Sequence, residues 1–225
     1  MRKKVFIGAG HGGSDPGAVA NGYQEKELNL SIALACREEL ERHGVEVLMS
    51  RIVDEDESLT EKIKECNAFD PALALDIHNN AGGGDGAEVY HHYRGGTGKV
   101  LAENILDEVG KIGQNSRGAK TKKNEQGMDY FGFIRETNAP AVLVECAFLD
   151  TEDVQSVDTE AKRKAMGIAI AKGVLKTLDV AYIEPKEVSY HVQIGPYREK
   201  ETAEKAAQML NLLQIGAKVV QTTDE

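Results

Sequence analysis

The sequence predicts an α/β fold: a mostly parallel, twisted sheet with helices on both faces, followed by a small C-terminal βαβ module. Three observations predict it. Short apolar runs of strand length alternate with segments of helical periodicity along most of the 225 residues. Glycine, proline and capping residues fall where the two patterns meet. Two of the apolar runs deliver a polar residue, His78 and Glu145, where sheets of this class place their sites.

Residues 5–7 form a short buried strand, and residues 10–22 a loop rich in Gly, Asp, Pro and Asn that carries His11. From about Glu27 the apolar residues Leu28, Ile32, Cys36 and Leu40 recur at helical steps until Gly44 stops them. Residues 45–49 make the next strand. Ser58 with Glu61 is a capping box, and the helix it opens ends near Asp70-Pro71. Residues 72–77 are a strand ending on His78, and residues 87–93 another strand. Residues 97–112 are helical with Val100, Ile105 and Val109 inward, whereas 111–128 is polar and Gly-containing, a long surface loop. Residues 141–144 are a strand delivering Glu145, and 160–178 a long helix built on Met166, Ile170 and Val174. The domain boundaries are then 1–179 for the main domain, 180–187 for a linker with Pro185, and 188–225 for the module. In the module, residues 190–194 and 217–221 read as strands around a helix over 199–214. One βαβ unit buries little by itself and must pack on the main domain, a second copy or a ligand.

Composition narrows the function. Apolar residues make up 41% of the chain, enough for a core, and the net charge is −10. A duplex nucleic-acid binder carries the opposite surplus. No polybasic anchor is present, nor an apolar run approaching the roughly 20 residues that span a bilayer. The basic start lacks a signal-peptide core, so synthesis in the cytoplasm is expected. The three cysteines (Cys36, Cys66, Cys146) are far apart and form no CxxC pair. They argue against a disulfide framework and against a cysteine-based zinc site.

Taken together, His11, Glu25 and His78 suit Zn²⁺, with a fourth position left for water. Glu145, flanked by Val142, Leu143, Val144, Cys146, Ala147 and Phe148, should be desolvated and raised toward the range of a general base and acid. Spacing alone does not establish this. His11 also fits a solvated loop, Glu25 a helix-start acid, and His78 a hydrogen-bonded strand end. The His11 loop lacks the glycine pattern and the Gly-Lys-Ser/Thr ending of phosphate cradles. His43 suits a helix C-terminus, and His91 and His92 read as surface residues on opposite faces of a strand. Cys146 suggests a Cys-His hydrolase as an enzymatic alternative, but its apolar setting favours an inert thiol.

Four segments resemble the zinc-dependent N-acetylmuramoyl-L-alanine amidases of the type-3 class, in that family's order. They are residues 6–18 (Phe-Ile-Gly-Ala-Gly-His-Gly-Gly-Ser-Asp-Pro-Gly-Ala), 24–30 (Gln-Glu-Lys-Glu-Leu-Asn-Leu), 76–80 (Asp-Ile-His-Asn-Asn) and 141–149 (Ala-Val-Leu-Val-Glu-Cys-Ala-Phe-Leu). Residues 86–90 and 115–119 are similar to family segments as well, and the likeness spans about 3–177. It implies metal ligands at His11, Glu25 and His78, with Glu25 preferred to Glu27 by its place in the Glu-Lys pair. It further implies a catalytic Glu145, substrate-positioning roles for Asn80 and Arg117, and hydrolysis of the lactyl–L-alanine amide of peptidoglycan. Two departures stand out: Gly-Ala-Gly precedes His11 where many relatives have Asp-Pro-Gly, and Asp76-Ile77-His78 replaces Ser-Ile-His. Residues 189–197, with the helix and strand expected after them, resemble half of a sporulation-related-repeat (SPOR-like) wall-binding domain. Two chains pairing their halves would give a homodimer or other oligomer. A phage or prophage endolysin released through a holin pore is the expected setting, and a host mother-cell lytic enzyme the second. The alternative from another class is a non-catalytic wall-binding protein on the same fold.

Overall fold

The computed structural model describes residues 3–185, 194, 196–213 and 217–220. The chain divides into two compact units, Met1–Ile183 and Glu184–Glu225. The first is built on a six-stranded sheet in the order β4-β1-β5-β8-β6-β7. Its strands are β1 (Lys4–Ala9), β4 (Glu46–Met49), β5 (Leu73–Asn80), β6 (Ala87–His91), β7 (Ser116–Lys120) and β8 (Ala141–Phe148). All neighbours pair in parallel except β6 and β8, which run antiparallel. β2 (Val19–Ala20) and β3 (Tyr23–Gln24) form a separate two-stranded ribbon inside the glycine-rich loop.

Side chains alternate across a strand, so each strand feeds two cores. Val5, Ile7, Leu75, Ile77, Val142 and Val144 point into the larger one. That core is closed by α1 (Glu25–Arg42), α3 (Thr97–Lys111) and α5 (Glu160–Thr177). Phe6, Ala74 and Ala141 point into the smaller core, where Ile63 and Cys66 of α2 (Leu59–Phe69) and Phe133 of α4 (Gly132–Glu136) meet them. Towards the carboxyl ends of β5 and β8 these short helices give out. Asp76, His78 and Asn80 of β5, Glu88 and Tyr90 of β6 and Glu145 of β8 then face a site instead of a core.

The expected elements are found with shifted ends. The Ser58 capping box opens α2, and Asp70 caps its end in a left-handed conformation. α1 starts at Glu25, earlier than its apolar pattern, because Glu25 and Asn29 use the first turn for polar contacts. Three readings need correction. The segment 111–128 is not all loop: residues 116–120 form the edge strand β7, whose polar sequence gives no apolar alternation. Val100 is 49% exposed, while Ile105 and Val109 are buried. His91 is buried, with its Nδ1 on the His92 carbonyl. The packed unit also extends to Ile183, into the segment read as a linker. Tyr182 stacks on His43 at 4.8 Å, and the Ile183 amide donates to His43 Nε2 at 2.9 Å.

In the second unit, α6 spans Lys200–Leu212 and none of its residues is buried. Asn211 brackets Ala217 through both its amide and its carbonyl. The strand expected at 190–194 and its turn lie largely outside the described residues. Of the strand expected at 217–221, residues 217–220 are described and carry no strand assignment.

Candidate metal and hydrolase site

β1 leaves the sheet at Ala9, and the chain turns sharply to present His11. Gly10 permits this because the His78 ring lies against its backbone; a Cβ there would come within 2.2 Å of His78 Cε1. His11 itself sits at φ 60°, an uncommon conformation for a side-chain-bearing residue, and strain of this kind concentrates at functional sites. The fully buried Arg51 guanidinium holds the turn. It donates to the carbonyls of Ala9 (3.0 Å), Gly10 (3.1 Å) and Lys26 (2.8 Å), tying the end of β1 to the start of α1.

Glu25, at the first position of α1, is the centre of the cluster. His11 Nε2 lies 3.2 Å from its Oε2, and His78 Nδ1 lies 3.0 Å from its Oε1. The amides of Ala18 and Asn79 and the Asn29 carboxamide also donate to it. Among the described residues, His11, Glu25 and His78 are the group whose ligand atoms converge, all within 4.8 Å of one another. Carboxylates hold the outer nitrogens: Asp15 Oδ2 is 2.7 Å from His11 Nδ1, and Asp76 Oδ2 is 3.4 Å from His78 Nε2. Asp76 in turn pairs with buried Lys62 at 2.9 Å. Ligand imidazoles are commonly oriented by carboxylates in this way.

The electrostatics favour a bound cation. Burial opposes ionisation of His78, but Asp76 and Glu25 outweigh it and push the imidazole up to about 10. The hydrogen bond to Glu25 raises His11 above its ordinary value. Burial alone would raise Glu25, yet the two histidines hold it well below the usual carboxylate range. Without a metal the His78 imidazole retains its proton; a divalent ion would replace it. Two imidazoles and one carboxylate are a donor set suited to zinc with one position open.

Glu145 stands on β8 beside His78, its register partner on β5. Its Oε2 is buried and has no hydrogen-bond partner among the described residues. Burial, reinforced by Glu25, Glu88 and Asp76 and opposed by His78, pushes its carboxyl up to about 7. The group therefore exchanges a proton near neutrality. The geometry thus brings His11, Glu25, His78 and Glu145 together as the sequence suggested. Glu27, the rival to Glu25, takes no part.

Asn80 and Arg117 are also close by, but both turn to Glu88, which sequence reasoning missed. Asn80 Nδ2 is 3.1 Å from Glu88 Oε1, and Arg117 Nε is 2.7 Å from Glu88 Oε2. Asn80 Oδ1 meanwhile accepts from the Ala81 amide. The one sequence signal for Glu88 was a carboxylate inside the strand expected at residues 87–93. Cys146 is fully buried, and its thiol is raised far above its ordinary value by burial, so it is no nucleophile. His92 pairs with Asp129 at 3.0 Å, apart from the cluster.

The family described as N-acetylmuramoyl-L-alanine amidase matches residues 5–176. The N-acetylmuramoyl-L-alanine amidase CwlM of Bacillus licheniformis is 37% identical over 91% of this chain and 79% of its own. The sporulation-specific N-acetylmuramoyl-L-alanine amidase of Bacillus subtilis is 36% identical, with the same two coverages. The endolysin of Bacillus phage SPP1 is 35% identical over 68% of this chain and 57% of its own. Among solved structures, the amidase AmiC2 of Nostoc punctiforme superposes with a TM-score of 0.72 at 28% identity, over 79% of this chain and 97% of that one.

Proposed function

The chain belongs to the N-acetylmuramoyl-L-alanine amidase family, and from that premise we propose that it is a zinc-dependent peptidoglycan hydrolase. The bond cut is the amide between the lactyl group of N-acetylmuramic acid and the L-alanine of the stem peptide. The observation that carries this reading is the convergence of His11, Glu25 and His78 within 4.8 Å, next to a partnerless buried Glu145 oxygen. A wall-binding protein without catalysis would have no use for that carboxylate, whose burial is costly.

His11, Glu25 and His78 would hold the zinc ion. When bound, the ion supplies a Lewis acid for the lactyl carbonyl and makes a water easier to deprotonate. Glu145 takes the proton from the attacking water as the C–O bond forms. It then returns that proton to the alanine nitrogen as the C–N bond breaks, leaving a carboxylic acid and a free amine. A carboxyl poised near 7 suits both transfers. Asp15 and Asp76 keep the two rings oriented.

The relatives reorder the two settings that the sequence suggested. The alignments with the two Bacillus amidases cover 91% of the chain, and so reach beyond Ile183 into the second unit. The endolysin alignment is shorter. This favours a host wall-lytic enzyme, of the kind active in sporulation, over a phage lysin. The module at 188–225 is then a wall-anchoring or pairing element; a monomeric mass by light scattering would exclude pairing. Among the described residues no helix is long and apolar enough to cross a membrane.

Mass spectrometry of purified peptidoglycan after digestion, with and without chelator, tests the reaction. New alanine amino termini on intact glycan strands are expected, and they should vanish with chelator. New reducing ends would identify a glycosidase instead.

A further inference from the structure

Glu88, Arg117 and Phe148 build a feature that the hydrolytic step itself does not use. Glu88 and Glu145 are register partners on the antiparallel strands β6 and β8, so both face the same side of the sheet. Glu88 is only 3% exposed. It accepts from Arg117 Nε (2.7 Å), Tyr90 Oη (2.8 Å), Asn80 Nδ2 (3.1 Å) and Lys120 Nζ. Between Ser116 and Ala119 the register of β7 against β6 slips, which marks a bulge at Arg117 and Gly118. Gly118 accommodates it at φ 89°. A bulge of this kind re-aims a side chain, and here it delivers Arg117 to Glu88.

Arg117 is therefore fixed on two sides. Glu88 holds its Nε, and the Phe148 ring lies 4.9 Å beneath its guanidinium. Its two terminal nitrogens take no hydrogen-bond partner among the described residues, and the side chain is 37% exposed. A guanidinium held at Nε with both terminal nitrogens open is prepared for two parallel hydrogen bonds to a carboxylate. Two cations, Arg117 and Lys120, flank Glu88, and a second carboxylate, Asp85, also acts on Arg117. The nearby Asp85 is exposed and accepts from Asn115 at 2.7 Å.

The position matches one group of the substrate. One strand spacing of roughly 4.8 Å separates Glu145 from Glu88, and Arg117 lies one hydrogen bond beyond. A chain advances about 3.5 Å per residue, so a carboxylate on the second stem residue lies about 7 Å from the scissile nitrogen. We propose that Arg117, held by the positioning residue Glu88, binds the free α-carboxylate of the second stem-peptide residue. The enzyme thereby selects wall chemotypes in which that carboxylate is not amidated. The inference rests on the amidase reading above.

The test compares N-acetylmuramoyl-L-alanyl-D-isoglutamate with its α-amide. In the zinc-loaded full chain, kcat/KM for the acid should exceed that for the amide by about tenfold to a hundredfold, mostly through KM. In Arg117→Met the ratio should fall to about one. Arg117→Lys should keep part of it, and Glu88→Gln should lower it because the guanidinium is no longer held. Calorimetry on zinc-loaded Glu145→Gln gives a second readout that needs no turnover: the acid should bind tighter than the amide by a similar factor. Equal kcat/KM for the two compounds, a ratio that survives Arg117→Met, or equal or absent binding of both overturns the proposal. Discrimination in binding without cleavage of either would support the Arg117 site while removing the amidase reading.

Discussion

Glu145 on β8 and Glu88 on β6 are the same residue type, opposite one another across one strand pair. Their surroundings drive them apart. Around Glu88, the edge strand β7 supplies Arg117 and Lys120, its own strand Tyr90, and β5 Asn80; burial alone would raise its carboxyl, but Lys120, Arg117 and Tyr90 hold it below its ordinary value. Around Glu145, the centre of the sheet supplies apolar strands and more carboxylates, and its carboxyl rises to about 7. One acid is built to stay charged and hold a cation in place; the other is built to move a proton. The comparison teaches that role follows from the partners each strand neighbour offers, not from residue type or register.

The largest expected difference between the two is in turnover. Glu145→Gln should lower kcat by about 10²- to 10⁴-fold, the usual contribution of a positioned acid and base. Zinc content by mass spectrometry should stay near that of the unmodified chain. Glu88→Gln should cost far less in kcat. Comparable losses from both substitutions would erase the functional distinction between them.

Stability should divide them the other way. Glu88→Ala strips the shared anion from Arg117 and Lys120. Breaking a buried pair costs about 3–5 kcal/mol, but these partners are partly exposed, so about 1–2 kcal/mol is expected in urea unfolding. Glu145→Ala should cost less, since no hydrogen bond is lost from its partnerless Oε2. The metal end permits a third, smaller measurement. Asp15→Asn leaves His11 without its charged partner at 2.7 Å, and zinc affinity by chelator competition should fall about tenfold. An unchanged affinity would mean that Asp15 does not orient the ring.

How much of this was legible obeys the same division. The central strands were readable because burial on both faces makes them continuous apolar runs, and a lone Glu145 after such a run is conspicuous. The Ser58 capping box and the α1 stripe were readable because their signals are local. The edge was not. β7 exists through backbone pairing to β6, and its residues, Ser-Arg-Gly-Ala-Lys, have no apolar face to announce it. Without β7, nothing in the sequence brings Arg117 next to Glu88. Asp76 was noticed only as a departure from a family pattern. Its partner Lys62 lies on α2 and meets it only when α2 packs over β1 and β5. Val100 stands five residues before Ile105 and nine before Val109, steps that carry it to the opposite side of α3 from the buried stripe, so it meets solvent.

The finest test of the comparison is the sign of pH dependence in the metal-free protein. Glu145 has a folded value above its unfolded one, so folding favours its neutral form. The stability this contributes is complete below the ordinary carboxylate range and is lost as pH rises toward about 7. Glu88 has a lowered folded value, so its contribution is present above the ordinary range and is lost as pH falls. At pH 8, therefore, Glu145→Gln should melt a few degrees above the unmodified chain and Glu88→Gln a few degrees below it. Near pH 4 the first difference should close, because Glu145 is then protonated in both the folded and unfolded chains. The second should narrow only at more acidic pH. Melting curves recorded across that range should show the two differences with opposite sign. If both substitutions shift the midpoint in the same direction at pH 8, the environments of the two carboxylates are not opposed, and the division of labour drawn from them fails.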